Sequence, residues 1–142
     1  MASASRIVLF HKHASSARVR FLCFAGKSVC APTPLPPSSI LSGDNASGGG
    51  GAVSTHPAVL LGAVRADLGL APGSLELARN FVLWVDTPEG AVEIRLGAFT
   101  MLDPPFEAAR EAGGAFISIT EARPLALVEL EVLRHVYDHI MG

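Results

Sequence analysis

The hydrophobic pattern is clearest between Asn80 and Leu96. Phe81-Val82-Leu83-Trp84-Val85 and Ala91 to Leu96 are rich in β-branched and aromatic residues, and Thr87-Pro88-Glu89-Gly90 separates them. Pro88 fixes φ early in that turn and Gly90 relaxes it late, so the stretch predicts a β-hairpin. The second arm alternates, with Val92, Ile94 and Leu96 on one face and Ala91, Glu93 and Arg95 on the other. That is the signature of a strand buried on one side. The first arm is apolar on both faces, Phe81, Leu83 and Val85 against Val82 and Trp84. Such a strand needs cover on both sides.

Around the hairpin the period changes to that of helices. Pro57 suits a first helical turn, the residues from Ala58 to Leu68 are apolar apart from Arg65 and Asp67, and Gly69 closes the segment as a C-cap. Asp103-Pro104-Pro105 reads as an N-cap and first turn, with Gly113-Gly114 ending that helix. Ala115 to Thr120 is a third strand, in a right-handed crossover if it runs parallel to the second. The longest helix starts at Arg123-Pro124 and runs to about Met141. At about 100° per residue, Leu125, Val132, Leu133, Val136, Tyr137 and Ile140 share one arc, and Glu129 falls in the middle of it. The order is helix, β-hairpin, helix, strand, helix: an α+β or small α/β domain with a three-stranded sheet packed with helices over residues 57–142.

Residues 1–56 read differently. Apolar patches at Ile7 to Phe10 and Phe21 to Phe24 are interrupted by charges, and Pro32, Pro34, Pro36 and Pro37 lead into Gly48 to Gly51. The composition describes a disordered or non-native leader, with Val53 as an alternative start, or an organellar transit peptide rich in Arg and Ser and poor in acids. Charge divides the chain at the same place. Up to His56, five basic residues face one acid, a charge of +4; from Pro57 onward six arginines face twelve acids, a charge of −6. An acidic compact part argues against nucleic acid as partner. No apolar run approaches the length of a membrane span. The protein is therefore expected in the cytoplasm, or in an organelle if the arm is a transit peptide. Cys23 and Cys30 make neither a zinc site nor a redox pair with two-residue spacing.

Chemistry-bearing patterns are few. Glu131, His135 and His139 recur at four-residue spacing and could share a divalent ion, but they lie on the solvated helix face without the pattern of a catalytic zinc helix, so no metal and no cofactor is expected. Ser118 and Thr120 have no glycine elbow nearby. Asp103-Pro104-Pro105-Phe106 and Gly113-Gly114 match neither a phosphate loop nor a dinucleotide fingerprint.

Two functions remain. The first is a non-catalytic self-associating interaction or regulatory module, a homodimer built on Trp84 and Val82 with Glu93 and Arg95 as its polar rim, or a partner of another protein. The second is a small-molecule-binding protein or enzyme with a pocket between sheet and helices, where Glu129, Arg123 and Glu121 supply polar groups. Glu129 either reaches past the core edge to water or Arg123, or is a partly buried carboxylate with acid–base chemistry. On this reading, removing residues 1–52 leaves the melting temperature nearly unchanged.

Overall fold

The computed structural model describes residues 5–43 and 56–142. At its centre lies β1 (Ser5–Lys12). Ile7, Val8 and Leu9 have no solvent exposure, so this run is covered on both faces. A turn leads to β2 (Val19–Cys23), antiparallel to β1 with Phe10 opposite Phe21. Next come the two-residue β3 (Cys30–Ala31), antiparallel to the start of β1, and β4 (Ile40–Gly43). Then follow α1 (Pro57–Asp67), β5 (Leu75–Leu77), β6 (Leu83–Thr87), β7 (Gly90–Phe99), α2 (Phe106–Glu111), β8 (Ala115–Ile117) and α3 (Leu127–Met141). The strands form one mixed eight-stranded sheet in the order β4-β6-β7-β1-β2-β8, with β3 added on β1 and β5 on β7. β1 and β7 run parallel, and the other pairs are antiparallel.

This sheet overturns the three-stranded one expected from residues 57–142. The expected helices, hairpin and strand occur in their expected order, but strands from residues 5–43 occupy the centre and an edge. The charge that seemed to interrupt the first apolar run, Arg6, is itself buried at 2% exposure. Its Nε donates to Thr33 O at 2.8 Å and its Nη1 to Ser5 O at 3.2 Å. Leu35, amid the prolines expected to form a spacer, is buried in the core. The Gly48–Gly51 tract and Val53 lie outside the described residues. β8 pairs antiparallel with β2 instead of joining the hairpin. Asp103 does not cap α2; it faces His13 at 3.5 Å, and the helix starts at Phe106. α3 starts at Leu127 because a 3-10 turn, Thr120–Ala122, intervenes.

Each face of the sheet carries its own core. On one, Val128, Val132, Leu133 and Val136 of α3 cluster with Val8, Phe21, Leu83 and Ile94. On the other, Leu60 and Val64 of α1 and Leu68 just after it cluster with Ile7, Leu9, Leu75 and Phe99, joined by Ala109 of α2. The sheet is thus packed between helices, and the both-sided apolar character of β1 follows from that position. α1 comes close enough that a Cβ on Gly97 would lie 2.8 Å from both Leu61 Cδ1 and Leu9 Cδ2. Among the described residues no helix is long and apolar enough to cross a membrane.

Two outcomes are expected. Deleting residues 1–52 removes the central strand, so the fragment should lose cooperative thermal unfolding and near-ultraviolet circular dichroism; a fragment that melts like the full chain would contradict this placement of β1. Gly97→Val should overfill the contact beneath α1 and cost about 1–3 kcal/mol in urea unfolding.

Candidate functional site: a cavity between the sheet and two helix ends

The site begins with a carboxylate on the opposite face. Glu129, in the first turn of α3 and on its buried side, is 2% exposed. It accepts hydrogen bonds from Ser28 Oγ at 2.7 Å, from Val29 N at 2.9 Å and from Leu35 N at 3.2 Å. The Ser28 hydroxyl in turn accepts Cys30 N at 3.1 Å. A buried charge is tolerated when several donors replace its water, and here the donors come from one irregular segment, 28–35. Glu129 therefore reaches neither water nor Arg123. It fixes the path of a chain segment that has little regular pairing of its own.

That segment forms one wall of a cavity of about 500 Å³ on the α1 side. Ala31 and Pro32 belong to the held segment, and Phe24 and Ala25 to the turn before it. The opposite wall is the last turns of α1, with Val64, Asp67 and Leu68, closed by Ala112 at the end of α2. Asp67 is the charged residue of this lining. Asp67 is exposed at the end of α1, and the last carbonyls of both helices are occupied: those of Val64, Arg65 and Ala66 in α1 and of Ala108, Ala109 and Arg110 in α2 each accept a backbone N–H. Apolar walls, an aromatic ring and a carboxylate suit a flat, largely apolar group with hydrogen-bond donors. They do not suit a phosphate.

On the other side of the turn is a shallower cleft of about 380 Å³. It shares Phe24 and Ala25 with the cavity and runs between Gly26-Lys27 and Gly113-Gly114. Lys27 is its charged residue and adopts a left-handed backbone, φ 61°, next to Gly26 at φ 91°. The turn is closed by Phe24 N to Ser28 O at 2.6 Å and Lys27 N to Phe24 O at 3.1 Å. Gly114 meets the start of this turn closely, since a Cβ there would lie 2.5 Å from Cys23 O.

The residues singled out from sequence lie apart. Glu129 is buried, whereas Arg123 and Glu121 are exposed, and none of the three lines either cavity. Glu121 Oε1 accepts Ser118 N at 2.8 Å while Ser118 Oγ accepts Glu121 N at 3.3 Å, which caps the 3-10 turn. The Ser118 bonds hold the Glu121 carboxyl below its ordinary pKa. Trp84 and Val82 are half-buried outside the α1 cluster. Glu93, opposite Trp84 in the β6–β7 ladder, pairs with Arg95, with Nε 3.2 Å from Oε1. His135 is exposed, and His139 packs edge-on against Phe81 at 5.1 Å between centroids. Among the described residues no three or more His, Cys, Asp or Glu are arranged to hold a metal ion. Sequence reasoning missed Phe24, Lys27, Pro32 and Asp67: Phe24, Pro32 and Asp67 sit at or next to element ends and Lys27 in the turn between β2 and β3.

No protein-family model matches the chain, and no curated protein matches it in sequence. Among solved structures, the chain is similar to the crystal structure of the C. elegans Ap4A hydrolase, with a TM-score of 0.52 and 12% identity, over 97% of this chain and 96% of that one. At that identity the likeness concerns the fold. It spans the N-terminal strands as well as residues 57–142 and matches an enzyme from end to end. This overturns the small non-catalytic self-associating module as the leading reading and favours its alternative, a small-molecule-binding protein or enzyme.

Replacing Glu129 by Leu strands three donors in the core and should cost about 3–5 kcal/mol in urea unfolding. Burial raises the pKa of Cys30 well above its ordinary value, and the neighbouring Glu129 charge adds to the effect. Cys30 should therefore resist iodoacetamide at pH 8 in the native protein, and react once Glu129→Leu or denaturant opens segment 28–35.

Proposed function

We propose that the chain binds a nucleoside or nucleotide in the cavity between α1, α2 and segment 24–32, with hydrolysis of a bound phosphate ester or anhydride as the reaction to test first. The observation that carries the reading is the roughly 500 Å³ cavity itself, largely apolar and walled by Phe24, with the exposed Asp67 of α1 at its edge. Its volume falls in the range of small-molecule sites. The likeness in fold to an Ap4A hydrolase supports a nucleotide as the class of ligand.

The chemistry of the lining narrows the class further. A base can lie against Phe24 and the aliphatic walls, since every base has an apolar face. Asp67 only accepts, so it favours a base that offers an exocyclic amine over one that presents a carbonyl at the same place. Asp67 is exposed, so water competes for this bond and it contributes about 0.2–1 kcal/mol; adenosine should bind about two- to fivefold more tightly than inosine.

Isothermal titration with adenosine and inosine tests this directly. Adenosine is expected to bind and to be preferred, and Asp67→Ala should bring the two affinities together. Ala112→Trp fills the cavity from an exposed helix end, and should abolish binding with little change in melting temperature. Absence of adenosine binding at millimolar concentration, or undiminished binding by Ala112→Trp, would overturn the proposal. Incubation with Ap4A and ATP, with and without Mg²⁺, followed by chromatography of the products, tests hydrolysis.

A further inference from the structure

The cavity can hold a base, but its charge opposes the rest of a nucleotide. Asp67 gives it a negative charge, and among the described residues lining it none is a cation. A phosphate chain attached to a base bound there has to leave the cavity. Phe24 and Ala25 line the cavity and the adjoining cleft alike, so the two hollows meet at this turn. Beyond them the charge changes sign at Lys27.

We infer that Lys27 is the phosphate-binding residue of the same site, and that the Phe24–Lys27 turn is straddled by the ligand, base on the Asp67 side and phosphates on the Lys27 side. This inference rests on the cavity's binding a nucleoside. The turn is built to keep the two sides apart. Its backbone bonds close it between Phe24 and Ser28, and Ser28 is tied to Glu129 at 2.7 Å, so the ammonium stem starts from a fixed point. Lys27 has a left-handed backbone, φ 61°, where asparagine or glycine is the easier choice. Lysine serves here as a point charge, which tolerates phosphate chains of different length. Gly113 and Gly114 form the far wall of the cleft, and a Cβ on either would meet Ala25 Cβ at 3.2 Å or Cys23 O at 2.5 Å, so that wall stays close to the turn without side chains.

The test compares adenosine, AMP and ATP by isothermal titration on the full chain and on Lys27→Gly, Lys27→Ala and Lys27→Arg. Wild type should bind AMP and ATP at least tenfold more tightly than adenosine, and that advantage should weaken as salt rises. In Lys27→Gly and Lys27→Ala the nucleotide advantage should disappear while adenosine affinity stays within twofold of wild type; Lys27→Arg should keep most of it. Glycine removes the backbone constraint and alanine retains it, so agreement between the two excludes turn geometry as the cause. Equal nucleotide affinity in wild type and Lys27→Gly would overturn the role of Lys27 and leave the adenosine-binding cavity standing. Failure of adenosine itself to bind would overturn both.

Discussion

The hydrogen bonds of the Glu129 carboxylate tie α3 to a segment roughly a hundred residues earlier in the chain. Segment 28–35 joins β2 to β4 and contributes only two residues, Cys30 and Ala31, to the sheet. Left to backbone pairing alone it would have few fixed points, because its prolines carry no N–H. Glu129 supplies them by taking Val29 N, Leu35 N and Ser28 Oγ from the face opposite the cavity. A neutral apolar residue at this place would pack well in α3 and still leave those donors without partners. The acceptor matters because of what it satisfies in another part of the chain.

Cavity and turn inherit their geometry from that contact. Cys30 faces the α3 core and Ala31 the α1 core, as successive residues of a strand must, so fixing one side chain of β3 fixes the other. Ala31 and Pro32 then stand against α1, and the preceding turn stands against Gly113 and Gly114. The carboxylate thus acts on the candidate site through the backbone, at a distance from any ligand. Arg6 works on the same segment from β1, with Nε on Thr33 O, and its burial lowers its pKa while the Cys30, Glu89 and Glu129 charges oppose that shift.

Legibility in the sequence followed the length of each pattern. The hairpin of β6 and β7 and the amphipathic α3 could be read because each repeats its period; α1 could be read as a helix, but its nearly uniform apolarity suggested burial all round, whereas Leu60 and Val64 are buried and Ala58, Val59, Ala63 and Ala66 are exposed. Glu129 was visible as a break in the apolar arc of α3, although its partners, roughly a hundred residues earlier, were not. β1 was missed for a physical reason. An inner strand needs only a few apolar residues and no alternation, and its ends can carry charges such as Arg6 and Lys12 when something binds them or they reach water. β3 and β4 are shorter still, two and four residues, and are held by register with β1 and β6 rather than by any pattern of their own. Phe24, Lys27 and Asp67 escaped notice because the cavity is made by the meeting of a turn and two helix ends, a property of tertiary structure alone.

The charge division along the chain takes on a different meaning in this fold. A basic stretch before His56 and an acidic one after it suggested an arm and a domain, but the sheet interleaves them: β1 lies between β7 and β2, and β2 lies against β8. Opposite charges from the two stretches consequently face each other. His13 lies 3.5 Å from Asp103, and Arg18 and Arg20 lower the Glu121 pKa further, after its bonds to Ser118. Arg20 also sits over the Phe106 ring at 5.5 Å. Exposed pairs of this kind contribute little stability one by one. Their sign still has a consequence, because the acidic C-terminal stretch supplies Asp67 at the cavity while the basic N-terminal stretch supplies Lys27 at the cleft. A site with one negative and one positive side arises where two oppositely charged halves of a chain are folded into one sheet, and a ligand with a donor at one end and an anion at the other is the kind that such a site can orient.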